Sequence, residues 1–167
     1  MGQRLLPQNL IELYAHALAI EREAFKRFTE LERYMREVGY DYIADEFERI
    51  GREEQEQYEA LAIGTAEREL PALADWEYAW HYLGPQTLKV QPPKNAREAL
   101  ALALATERRA QNFYIDVAEH APDDAVCAFA AEMATDEQRH VQRLEELLAR
   151  EPLPAKTVED DAEPVRR

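Results

Sequence analysis

The sequence predicts an all-α protein, a four-helix bundle with one long crossover between its second and third helices. Three observations predict it. The 167 residues include only 5 Gly, are 46% apolar and are rich in Ala, Leu, Glu and Arg, which favours helix and supplies a core for one domain. Four long segments repeat their apolar residues with helical period. The connections between them run short, long, short, which joins two antiparallel pairs through a crossover.

The first segment is expected over Pro7–Val38, with Pro7 in its first turn and Gly39 as the residue that ends it. The second runs over Asp41–Ala66. The third begins at Asn95, where "NARE" sets Glu98 three residues on as a capping box, and ends near His120 before Pro122. The fourth runs over Asp123–Arg150. The crossover between helices two and three carries Trp76, Tyr78, Trp80, His81 and Tyr82. So many aromatics are expected to pack on the bundle or against a second subunit, which makes a homodimer the expected assembly. Residues 1–150 thus form the bundle, and the polar, proline-bearing 151–167 segment is expected to be a disordered tail.

The two halves resemble each other. "ALAIEREAFKRF" (17–28) lies over "ALATERRAQNFY" (103–114), placing Glu21 on Glu107. "GREEQEQY" (51–58) lies over "TDEQRHVQ" (135–142), placing Glu54 on Glu137 and Gln57 on His140. The offset differs by three residues between the two matches, which is expected to reflect a longer turn in one half of a duplicated hairpin.

Charge and cysteine content exclude several classes. A net charge of −14 excludes a nucleic-acid backbone and an anionic membrane surface as partners. The one cysteine, Cys127, excludes an internal disulfide framework and a four-cysteine metal knuckle, so a reducing, cytoplasmic location is expected. Cys127 itself reads as a small apolar filler. The N-terminus has no apolar signal region, no run of 18 apolar residues occurs, and Leu6 breaks the myristoylation pattern after Gly2.

The chemistry lies on the seams. Helix one gives Leu10, Tyr14, Ala17, Glu21, Ala24, Phe28, Leu31 and Met35. Helix two gives Ile43, Phe47, Ile50, Glu54, Gln57 and Leu61. Helix three gives Leu100, Ala103, Glu107, Ala110, Tyr114 and Val117. Helix four gives Val126, Ala130, Met133, Glu137, His140, Leu144 and Leu147. Each apolar seam is interrupted near its middle by a glutamate, and none carries Lys or Arg. A buried, unpaired carboxylate costs several kcal/mol, so four at one level call for neutralisation. Two divalent cations would balance them. Glu137 and His140, three apart, project from one face and can reach one metal. Gln57 has either of two roles, weak ligand through its amide oxygen or hydrogen-bonding neighbour of the site. Tyr114, two turns past Glu107, reads as a core aromatic whose hydroxyl can reach a ligand carboxylate. His16, His81 and His120 are expected to be structural or exposed, and Glu23, Glu53, Glu56 and Asp136 to be solvated.

Helix order, crossover and these positions resemble the rubrerythrin-like branch of the ferritin-like superfamily over residues 7–150. The resemblance implies two irons between the helices, with Glu54 and Glu137 bridging, Glu21 and Glu107 terminal, and His140 the histidine ligand. The chain departs from that family at Gln57, where a histidine stands, and at Ala110, where rubrerythrins carry a further carboxylate. It also lacks the four cysteines of a rubredoxin module, so a separate electron donor is expected if the site is redox-active. The expected function is a di-metal, oxidoreductase-type protein acting on dioxygen or peroxide. Iron is the expected metal, with manganese and zinc compatible with the ligand set. Two alternatives are iron binding and detoxification in the manner of a ferroxidase, and a non-catalytic structural or interaction bundle.

Overall fold

The computed structural model describes residues 6–73 and 91–153 and forms a ferritin-like bundle of four helices, α1 (Leu10–Glu37), α2 (Asp41–Thr65), α3 (Ala96–His120) and α4 (Asp124–Arg150). The crossover aromatics and the tail from residue 154 onward lie outside the described residues. No helix among the described residues is long and apolar enough to cross a membrane.

α1 starts three residues later than Pro7 would set it. Asn9 takes the cap instead: its Oδ1 accepts from the Glu12 N–H at 3.0 Å, and Glu12 accepts from the Gln8 N–H at 2.7 Å. α3 repeats the device. Asn95 Oδ1 accepts from the Glu98 N–H at 2.9 Å, and Glu98 accepts from the Lys94 N–H at 2.8 Å. A side-chain acceptor satisfies an otherwise orphaned amide, worth about 1 kcal/mol, and proline has none to offer. At the other end of α1, Gly39 takes a φ of 85°. The Tyr40 N–H then reaches Met35 O at 2.8 Å and the Gly39 N–H reaches Arg36 O at 3.2 Å, a reversal that only glycine enters cheaply. α4 starts on Asp123, whose Oδ1 accepts from Ala125 and Val126. Cys127 directs its Sγ at Ala121 O, 3.3 Å away, so it also caps the end of α3.

The two hairpin turns are equally long, residues 38–40 and 121–123. The three-residue difference between the halves therefore sits in α1, which has 28 residues against 25 in α3, and the expected longer turn is corrected. The two turns differ in shape: Gly39 takes a φ of 85° in the α1–α2 turn, whereas Ala121 and Asp123 are extended in the α3–α4 turn.

Side-chain pairs give the arrangement. Arg36 joins α1 to α2 through Asp45 and Glu48, both at 3.0 Å. Arg108 joins α3 to α4 through Glu145 at 2.6 Å. Between the hairpins, α1 packs closely on α3, where Ala17, Ala24, Ala103 and Ala110 are buried. The α2 and α4 backbones stay further apart, and long side chains bridge them. Tyr42 donates to Glu151 at 2.7 Å, and Arg143 donates through Nε to Glu46 at 2.6 Å. Exposed pairs of this kind contribute little stability. Their value lies in showing that α2 and α4 are antiparallel neighbours across a wider gap.

Two apolar clusters fill the interior. One holds Phe28, Met35, Ile43, Phe47, Leu100 and Leu144, and the other holds Leu13, Ile20, Phe113, Tyr114, Val126 and Met133. The seams are buried much as their period predicts, with exceptions near helix ends. In α1, Leu13 enters the core, while Tyr14 is half-buried and meets Phe129 edge-on with ring centroids 5.2 Å apart. Leu61 and Leu147 are also half-buried. His16 is buried against Phe113, within its expected structural role.

Gly51, inside α2, lies where α1 approaches closely. A Cβ added there would lie 3.1 Å from Phe28 Cβ, an atom fixed to the α1 backbone. Helix propensity alone predicts that Gly51→Ala stabilises by about 1 kcal/mol. The contact predicts the reverse, a loss of about 1 kcal/mol as the helices are pushed apart, read as a lower urea midpoint.

Candidate metal centre

Each helix places one glutamate at the level between the two apolar clusters. Glu21, Glu54 and Glu107 are 0% exposed and Glu137 is 1% exposed. A helix presents the same face every three to four residues, so an acid on an otherwise apolar seam has nowhere to point but inward. The structure brings all four together. Glu54, Glu107, Glu137 and His140 each offer one ligand atom, and these atoms lie within 4.8 Å of one another. Glu21 stands beside them, and burial followed by the neighbouring Glu54 carboxylate pushes its own carboxyl group well above the usual range.

His140 fixes one side of the site. Its Nδ1 lies 2.6 Å from Glu54 Oε1 and 3.2 Å from Glu107 Oε2, and its Nε2 lies 2.9 Å from Glu53 Oε2. Burial alone would lower its pKa, but the Glu107 and Glu54 carboxylates outweigh that and push it up to about 11. Tyr114 is fully buried, and its hydroxyl donates to Glu21 Oε1 at 3.1 Å. Gln57 is half-buried, and its Oε1 is enclosed without a donor. Ala110 is buried on the same seam and contributes no polar atom.

Glu53 is the site residue that seam reading misses. Expected to be solvated, it is exposed over half its side chain yet reaches across the α2–α4 gap to His140. Its only sequence signal is indirect. A histidine with one nitrogen turned into a metal site presents the other outward, and an acid on the facing helix is its natural acceptor. Asp136, the matching residue of the second half, pairs with Arg139 on its own helix, and Glu23 faces Lys26 at 3.8 Å. His120 is exposed and contacts Asp116 at the end of α3. His81 lies outside the described residues.

The donor set fits metal ions. Glu21 Oε2, Glu54 Oε2, Gln57 Oε1, Glu107 Oε1 and both oxygens of Glu137 are buried and find no protein donor. Buried polar atoms are otherwise satisfied in folded proteins, and a layer of carboxylate oxygens with one imidazole is a hard-to-borderline set suited to iron, manganese or zinc. Without a cation, protons must serve. Burial, then the neighbouring carboxylates, hold Glu21 and Glu137 well above the usual carboxylate range, and burial then Glu54 raises Glu107. Burial, then the Glu21 and Glu137 charges, likewise raise the Tyr114 hydroxyl, which therefore stays a donor.

The rubrerythrin family profile matches residues 12–148 of the chain. The crystal structure of an uncharacterized conserved protein from Magnetospirillum magnetotacticum MS-1 is similar in fold and sequence, with a TM-score of 0.79 and 28% identity over 89% of this chain and 99% of that one. No curated protein matches. The family implies binding of two metals, typically iron, and the buried carboxylate and histidine cluster suggests a di-iron site.

The protonation pattern gives the metal-free protein a defined pH dependence. The three raised carboxyl groups contribute stability below their ordinary value of 4.5, and lose it as pH rises through their higher folded values. His140 contributes stability below its ordinary 6.5 and loses it toward about 11. Both effects have one sign, so the urea midpoint of metal-free protein should fall steadily between about pH 5 and about pH 9. Saturating divalent metal should remove or reverse that fall, because ligands must shed protons to bind.

Proposed function

We propose, from the premise that the chain belongs to the rubrerythrin family, that it holds two divalent metal ions, iron foremost, and uses them in oxidoreductase chemistry on dioxygen or peroxide. The observation that carries this reading is the layer of four glutamates, at most 1% exposed, with no Lys or Arg on any seam to neutralise them. In this reading Glu54 and Glu137, from α2 and α4, would serve both positions. Glu107 and His140 would complete one position, the imidazole offering Nδ1. Glu21 would complete the other, with Gln57 offering its amide oxygen directly or through water. Iron held there would supply the electron transfer that reactions of dioxygen and peroxide need.

The chain's own residues set the conditions for that chemistry. The carboxyl groups would release protons as cations enter, so the layer would change from proton-neutralised to metal-neutralised. Tyr114 holds Glu21 by a donor that stays protonated. The apolar clusters above and below exclude bulk water from the layer. The two positions are unequal. One has a nitrogen ligand, whereas the other has only oxygen and the weak amide of Gln57, so it binds its metal less tightly. Electrons come from a separate donor, and the single cysteine fits a reducing cytoplasm.

Two measurements test the reading. Calorimetric titration with ferrous iron under anaerobic conditions should resolve a tighter and a weaker event, and Gln57→His should strengthen the weaker one by about tenfold while leaving the other unchanged. After loading, addition of dioxygen or peroxide should oxidise the bound iron and stop at two irons per chain. Continued uptake of many irons would instead make iron the substrate, as in detoxification. Protein purified from iron-replete cells with no transition metal at all would leave only a structural or interaction role.

A further inference from the structure

The contact between Glu53 and His140 crosses the wide side of the bundle and has no counterpart in the other half. We infer that Glu53 is a positioning residue for the metal site, holding His140 so that Nδ1 faces the carboxylate layer. The inference rests on the metal-binding reading above.

The geometry supports it at both ends of the imidazole. Nδ1 lies among Glu54 and Glu107, at 2.6 and 3.2 Å, where a metal ligand must be. Nε2 points the other way, to Glu53 Oε2 at 2.9 Å. A histidine ring turns about its last torsion between two broad, nearly equivalent orientations, so seam position alone does not choose which nitrogen faces inward. An acceptor at the outer nitrogen does. It holds the proton on Nε2, leaves the Nδ1 lone pair for metal, and makes that nitrogen a better donor.

Place in the fold makes Glu53 the residue able to do this. His140 has a side chain only 6% exposed, and that of Glu53 is 52% exposed. Glu53 therefore reaches inward from the α2 surface, across the gap where the α2 and α4 backbones stay apart. Its duplicate, Asp136, is engaged by Arg139 on its own helix, and the residue that an equivalent contact would hold is Gln57, not a histidine. The half that keeps the histidine is the half whose histidine has a carboxylate behind it. Half exposure also means that Glu53 contributes little to packing, so its loss separates from loss of the fold.

Competition titration of the full chain with Co(II), together with thermal melting of metal-free protein, tests the inference. Glu53→Ala should weaken Co(II) binding by about 10- to 100-fold while the metal-free protein stays folded and its melting temperature falls by only a few degrees. Glu53→Gln, whose amide oxygen still accepts from Nε2–H, should recover most of the affinity. In a His140→Ala background, Glu53→Ala should have no further effect. Wild-type affinity in Glu53→Ala, or an equal loss with His140 already removed, overturns the inference and leaves the metal reading standing. Failure of the unaltered chain to take up Co(II) removes both.

Discussion

Four carboxylates share one layer between helices whose other core positions are mostly apolar, and the rest of the structure is arranged around that burial. An unpartnered buried charge costs several kcal/mol, a large part of the stability of a domain this size. The bundle does not solve this with lysine or arginine. It uses protons and one histidine, and it keeps several oxygens turned to the centre without donors. That pattern is poor for stability and good for capturing cations. The apolar clusters on both sides supply the stability that the layer costs, through side chains such as Phe28, Phe47, Leu100 and Val126, each worth about 1.5–3 kcal/mol when buried.

The duplication explains both the symmetry of the layer and where it fails. Each hairpin delivers one glutamate from its first helix and one from its second, and the Asn-x-x-Glu starts of α1 and α3 repeat the same capping geometry. The halves then diverge on one side of the layer. Gln57 stands opposite His140 in the duplication, and Glu53 reaches His140 where Asp136 reaches Arg139. These changes leave one side of the layer with an imidazole and the carboxylate behind it. The other side has Glu21, itself tied to Tyr114.

Much of this was legible in the sequence, because a seam read at helical spacing reports which side chains face inward. Glu21, Glu54, Glu107, Glu137, His140 and Tyr114 all lie buried where the period puts them. What the period does not report is reach. Glu53 sits about 100° around the helix from Glu54 and reads as solvent-facing, yet its long side chain spans the α2–α4 gap. The start of α1 escapes the period for a similar reason, since Pro7 suits a first turn by its fixed φ but Asn9 supplies the acceptor the first turn needs. Likewise the three-residue offset between halves was visible, but turns of equal length and different shape were not. They depend on Gly39 at a φ of 85° in one hairpin and extended residues in the other.

The central claim is that the buried carboxylate layer is a place for cations. Crystals of the iron-loaded chain, measured for anomalous scattering at the iron edge, test it most directly. Two peaks should appear between the helices, the stronger bounded by Glu54, Glu107, Glu137 and His140 and the weaker beside Glu21 and Gln57. A map with no peak in that layer, from crystals whose solution shows bound iron, would contradict it.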